Sequence, residues 1–141
     1  MAIRILTDNF VGSADELYSL VIEEINLRAL PEIKYTWVQE AESEKKFFNK
    51  GDKAVALQVA FKTELINVFA YQIGACFLVS TRITNRFHDA DTTTFLYEAM
   101  MFTFEKVVDR ATRRALARHL EGRGVTTPDY LVVNGNVQQA S

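Results

Sequence analysis

The sequence predicts an α+β domain: a mainly antiparallel sheet of about four to six strands, with one N-terminal helix and one long C-terminal helix. Three observations carry this expectation. Lys53 to Thr84 is the most apolar stretch of the chain and alternates with period two in three successive runs. A segment after Ser13 carries apolar residues at helical spacing and ends before Pro31. A second helical pattern runs from about Thr93 to Glu121.

The central stretch sets the sheet. Val55, Leu57, Val59 and Phe61 alternate with Ala54, Ala56, Gln58 and Ala60, which puts one set on each face of a strand. Lys62-Thr63-Glu64 is a polar break suited to a tight turn. The next run alternates Leu65, Asn67, Phe69 and Tyr71 against Ile66, Val68 and Ala70. Ile73-Gly74 follows, where glycine can take a positive φ. The third run sets Ala75, Phe77, Val79, Thr81 and Ile83 against Cys76, Leu78, Ser80, Arg82 and Thr84. Both faces are more apolar than a half-solvated antiparallel sheet requires, so part of the second face is expected to be covered by a helix or a second subunit.

Before this stretch, Ile3, Ile5 and Leu6 suggest a short strand. Ser13 reads as a helix N-cap, and Glu16 completes a capping-box spacing. Leu17, Leu20, Val21, Glu24 and Ile25 continue at helical spacing to about Ala29. Ile33 to Glu42 reads as a strand with Ile33, Tyr35 and Trp37 on one face. Glu40 to Lys46 is a charged run and reads as a solvated segment. After the sheet, Asp91 or Thr92 suits an N-cap, with Leu96, Met100, Phe104, Val107, Val108, Ala111 and Ala115 as the core stripe. Phe95, Met101 and Phe102 point partly elsewhere and are the expected subunit interface. Tyr130 to Val133 suggests a short edge strand, and residues 134–141 a polar tail outside the 1–133 domain.

Composition excludes more than it assigns. The 141 residues suffice for one domain with its own core. A hydrophobic share of 48%, a charged share of 24% and a net charge of −2 are those of an ordinary globular chain and give no reason to expect nucleic-acid binding. A lone cysteine, Cys76, forms no internal disulfide and reads as a small buried hydrophobe. Met1 is not followed by the pattern of a secretory leader, and no apolar run has the length of a membrane span. A cytoplasmic location without membrane association is therefore expected.

Chemistry-bearing residues gather in two places. Arg82, Arg86, His88, Asp89 and Asp91 fall at a strand-to-helix junction, where anions are commonly held. Lys106, Arg110, Arg114 and Arg118 follow at four-residue spacing on the long helix. Arg82, Arg86, His88, Arg110 and Arg114 are thus the candidate residues for an anionic small molecule such as a nucleotide or phosphate compound. The competing reading of the stripe is helix-dipole compensation and i,i+4 pairing, as between Asp109 and Arg113. His88, Asp89 and Asp91 lack a metal-ligand spacing, no nucleophile elbow or phosphate-cradling glycine loop is present, and no catalytic residue, metal or cofactor is expected.

Arg28-Ala29-Leu30-Pro31 and Val68-Phe69-Ala70-Tyr71-Gln72-Ile73-Gly74-Ala75-Cys76-Phe77-Leu78-Val79-Ser80 carry one resemblance. Over Arg28 to Ile83 the chain resembles a group of small bacterial cytosolic proteins that share an apolar strand, a G-x-x-F turn, a strand ending in V-S and a following long helix. The resemblance implies the same fold and brings no activity or catalytic residue. The function expected is a non-enzymatic binding or assembly protein that self-associates, a dimer being favoured, through its long helix or its sheet. The alternative is a protein, enzymatic or not, that binds a small phosphate compound through the arginines.

Overall fold

Alternation and turn chemistry place the strands in the computed structural model, which describes residues 3–41, 53–85, 94–125, 130–134 and 137–138. The elements are β1 (Ile3–Thr7), α1 (Ala14–Asn26), β2 (Ile33–Ala41), β3 (Lys53–Phe61), β4 (Glu64–Ile73), β5 (Cys76–Asn85), α2 (Phe95–Gly122), β6 (Tyr130–Asn134) and β7 (Val137–Gln138). Among the described residues, seven strands form one sheet in the order β2-β3-β4-β5-β1-β6-β7, and each neighbouring pair is antiparallel. The fold is α+β.

This order explains the helices. β1 and β2 run parallel but lie four places apart, so the chain needs a crossover, and α1 supplies it. β5 and β6 also run parallel, on either side of β1, and α2 makes that crossover. The two helices pack side by side on one sheet face. Leu17, Val21 and Ile25 of α1 and Phe104, Val108 and Ala111 of α2 join Ile5, Leu57, Val59, Val68 and Val79 in a single buried cluster.

Turns follow glycine and polar residues closely. β3 and β4 are joined through Lys62-Thr63, with Lys62 at φ 55°, and β4 and β5 through Gly74-Ala75, with Gly74 at φ 57°. The polar Glu64, expected in the first turn, instead begins β4 and is buried. Ala75 lies in the second turn, outside β5. β6 pairs with β1, and β7 lies outside it, so β6 is not an edge strand, and residues 137–138 of the expected tail are part of the sheet.

Both helices are shorter than their patterns suggest. α1 ends at Asn26 rather than about Ala29, because Ala29 takes φ 51° and leaves the helix before Pro31. α2 begins at Phe95, where the Thr94 hydroxyl accepts from the Tyr97 N–H at 3.1 Å and serves as N-cap in place of Asp91 or Thr92. Its buried line is Met101, Phe104, Val108, Ala111, Thr112, Ala115, Leu116, His119 and Leu120. Leu96 and Met100, expected on that line, lie beside it: Leu96 is exposed and Met100 half-buried, since the helical phase that buries Phe104 and Val108 carries Met101 inward.

The other sheet face has no helix against it among the described residues. By register it carries Arg4 opposite Ser80, Ser80 opposite Phe69, and Arg82 opposite Asn67. Phe69 and Tyr71 stack there with ring centroids 5.8 Å apart, and Gln58 Nε2 donates to Asn67 Oδ1 at 3.1 Å. The cover expected over this face is not a helix of the described chain.

Candidate functional site: the outer side of α2 and the groove beside it

α2 leaves large apolar side chains in water along its first two turns. Phe95 is 89% exposed, Leu96 69% and Phe102 61%. Scattered exposed apolar residues are ordinary, but three large ones on adjoining turns of one helix form a patch. Lys106 lies one turn beyond Phe102, and its Nζ sits 5.3 Å from the centre of the Phe102 ring. A cation over an aromatic face is held there by the ring quadrupole.

Beneath Phe102 the helix and sheet do not close fully. A groove of about 250 Å³ is lined by Ile3 of β1, Ile66 of β4, Thr81 and Ile83 of β5, and Phe102, Glu105, Lys106, Val108 and Asp109 of α2. Its floor is apolar. Asp109 is not a free charge: its Oδ1 accepts from Nε of Arg113 at 2.7 Å. Thr81 is only 3% exposed yet lines the groove, and its hydroxyl makes no hydrogen bond among the described residues.

The residues predicted as a ligand site do not converge. Arg82 is exposed on the sheet face opposite the helices, since its neighbours Thr81 and Ile83 line the groove under α2. Arg110 and Arg114 are exposed on α2. The three arginines therefore stand on opposite sides of the sheet. Arg86 and His88 lie outside the described residues, as do Asp89, Asp91 and the acidic run from 42 to 46. Of the expected interface residues, Phe95 and Phe102 are on the surface. Met101 is buried in the core at 4% exposure and contributes packing within the chain instead.

The last cation of the stripe, Arg118, is engaged with α1. Arg118 reaches Glu24 Oε2 at 3.0 Å and Glu23 Oε1 at 3.1 Å, and Arg28 reaches Glu24 Oε1 at 3.2 Å. Burial alone would raise the pKa of Glu24, but hydrogen bonds from Arg28 and Arg118, and their charges, outweigh it and hold the carboxyl below its usual value. Hydrogen bonds to Glu23 and Glu24 raise Arg118 further, although burial opposes them. The spacing had suggested pairing within the helix; Asp109–Arg113 obeys it, whereas Arg118 pairs across helices.

A third polar node was not legible as such. His119 is buried on α2 between the rings of Phe10 and Phe77, at centroid distances of 5.5 and 5.7 Å. Its Nε2 accepts from the Ser13 N–H at 3.0 Å, and its Nδ1 stands 3.4 Å from Glu16 Oε2. Arg123 donates to the same Glu16 oxygen at 3.2 Å and to the Val11 carbonyl at 3.2 Å. The Ser13 hydroxyl accepts from the Glu16 N–H at 3.3 Å, half of the expected capping box. The other half is exchanged: His119, not Glu16, satisfies the Ser13 N–H. Burial, and then the charge of Arg123, push the His119 pKa down, while Glu16 pulls it up.

Cys76, read as a small buried residue, is half-buried, and its Sγ stands 3.4 Å from Asp8 Oδ1. That hydrogen bond, then burial and the Asp8 charge, raise the thiol's pKa, which suppresses nucleophilic character. Among the described residues no group of three or more His, Cys, Asp or Glu side chains could hold a metal ion, and no helix is long and apolar enough to cross a membrane. No family model, curated protein or solved structure matches the chain.

Proposed function

We propose that the protein is a non-enzymatic binding and assembly protein that self-associates through the outer side of α2. The observation that carries this reading is the exposed strip of Phe95, Leu96 and Phe102 on adjoining turns. The occupant that fits is a second copy of the chain. Glu98 and Lys106 are both exposed and lie four residues to either side of Phe102. A second copy packed antiparallel about a two-fold axis through Phe102 brings each Glu98 opposite Lys106 of the other copy, and packs the two rings together. Such self-complementarity is what a two-fold interface requires. A parallel copy would set like charges side by side.

Size-exclusion chromatography with light scattering tests the reading. The wild-type chain is expected at twice the chain mass, and Phe95→Asp with Phe102→Asp at the chain mass with an unchanged circular-dichroism spectrum. A wild-type protein that stays monomeric at about 100 μM, a concentration far above an ordinary micromolar Kd, removes the reading.

A phosphate-binding function that joins Arg82 to Arg110 and Arg114 is less favoured, because Arg82 is on the sheet face away from α2. The small-ligand alternative is better served by the groove.

A further inference from the structure

We infer that the groove between α2 and strands β1, β4 and β5 is a binding site for a small amphiphile with an apolar chain and a single carboxylate head. The inference goes beyond self-association and does not rest on it.

The shape selects the tail. Ile3, Ile66, Ile83 and Val108 give the groove an aliphatic floor, and Phe102 forms one wall. A volume of about 250 Å³ holds roughly eight water-sized groups at about 30 Å³ each, which matches a chain of about eight carbons. A flat polar ring system would leave that floor in contact with polar atoms. A drug-sized molecule exceeds the space, since such ligands ordinarily occupy about 300–1,000 Å³.

The polar groups select the head. Thr81 is nine-tenths buried and more, lines the groove, and has a hydroxyl without a hydrogen bond among the described residues. Its hydroxyl can donate to or accept from a ligand oxygen that enters the groove. Three charged groups line the rim. Asp109 is neutralised by Arg113 at 2.7 Å, and Glu105 is itself engaged. Lys106 is held, among the described residues, only against the Phe102 ring. An ammonium head would find its two carboxylates already occupied. A carboxylate finds one available cation and one available hydroxyl, and a charge-assisted hydrogen bond is the stronger kind.

Sodium octanoate, 1-octanol and octylammonium chloride are the probes, titrated into the full-length chain and followed by amide NMR shifts. Octanoate is expected to bind with a Kd of about 1 mM, a modest figure for so small a ligand, and to shift Thr81, Ile83, Phe102 and Lys106. Lys106→Met and Thr81→Val, both close to isosteric, are each expected to weaken octanoate by about tenfold. Octanol should bind more weakly and ignore Lys106→Met. The proposal is overturned if octanoate moves none of these amides at about 10 mM, or if both variants bind it as well as wild type, or if octylammonium binds better. Phe102 and Lys106 belong to both surfaces, so light scattering on the same samples separates the readings. A monomer that binds octanoate sinks self-association and leaves the groove standing; a dimer that ignores octanoate does the reverse.

Discussion

The hydroxyl of Tyr18 takes the place of a backbone hydrogen bond that Ala70 would otherwise make with Val55. It accepts from the Ala70 N–H at 2.9 Å and lies 2.7 Å from the Val55 carbonyl oxygen, to which it donates. The β3–β4 register runs from Phe61↔Glu64 to Leu57↔Val68 and stops there, and the same register continued would set Val55 against Ala70. The two strands part, and a buried side chain from α1 fills the gap. β3 goes on pairing with β2 through Lys53, so the sheet splits without losing its outer strands.

Removing that oxygen tests the relationship. Tyr18→Phe keeps the ring, which packs 5.7 Å from Trp37, but leaves the buried Ala70 N–H without this acceptor. A loss of about 1–3 kcal/mol is expected in urea unfolding, with faster hydrogen exchange at Ala70. An Ala70 amide that stays protected in the variant would mean that the strands close on their own and that the hydroxyl does not hold them apart.

The ion pairs between the helices supply a second expectation. Glu24 is nearly buried, with a side-chain exposure of 8%, and Arg28 and Arg118 converge on it. Its carboxyl titrates lower in the folded chain than in the unfolded one, so its stabilisation is present above pH of about 4.5 and is lost as pH falls through the folded value. Glu24→Gln should cost about 2 kcal/mol at neutral pH, where two partly solvent-facing arginines lose their shared partner, and less at low pH. Equal losses at pH 7 and pH 3 would show that packing, not charge, is what the substitution removes.

Gly12 carries a steric expectation. A Cβ built there would stand 2.7–2.8 Å from three atoms of the Phe77 ring, which is fully buried and touches both Phe10 and His119. Gly12→Ala must displace that ring, at about 1–3 kcal/mol. A fall in Tm of several degrees is expected by calorimetry, with movement of the His119 ring resonances. A variant with wild-type Tm would show that the loop from Phe10 to Gly12 yields freely.

Why the fold was legible and the site was not follows from these contacts. Val55, Leu57, Val59 and Phe61 mark one face of β3 by alternation alone, and Gly74 marks the turn between β4 and β5, because both signals are local. The phase of α2 at Leu96 and Met101 is not fixed by the sequence because its first turns are apolar over more than one face, with only Glu98 and Thr103 to mark a polar side. Position in the sheet was beyond reach, since nothing local says that β1 inserts between β5 and β6. The same holds for the arginines. Arg82 and Arg110 are both cationic surface residues in sequence, and only the topology puts them on opposite faces. Thr81 reads in sequence as an ordinary strand threonine; only the incomplete closure of α2 over β5 puts it at the groove. The spacing of Ser13 and Glu16 did signal a capped helix, but no local rule identifies a histidine 106 residues away as the acceptor for Ser13.

His119 makes the fold sensitive to mild acid. Its Nε2 is an acceptor for the Ser13 N–H, so the neutral ring carries its proton on Nδ1, toward Glu16. A second proton would turn Nε2 into a donor facing a donor. Burial is the main influence against the cation, Arg123 adds to it, and Glu16 opposes both. The folded pKa thus lies below the ordinary histidine value of about 6.5. A lowered histidine pKa means that the unfolded chain binds the proton more readily. Stability is full above the unfolded value and declines as pH falls below it, by at most about 1.4 kcal/mol per pH unit for one proton. Urea unfolding between pH 7.5 and pH 5 is expected to show that decline, together with faster amide exchange at the start of α1. His119→Gln, whose side-chain oxygen can still accept from Ser13 and does not titrate, should flatten the slope over this range while Glu24 and its partners remain. A slope that survives His119→Gln assigns the titration to another group; an unchanged amide at Ser13 across the range shows that the ring stays neutral and in place.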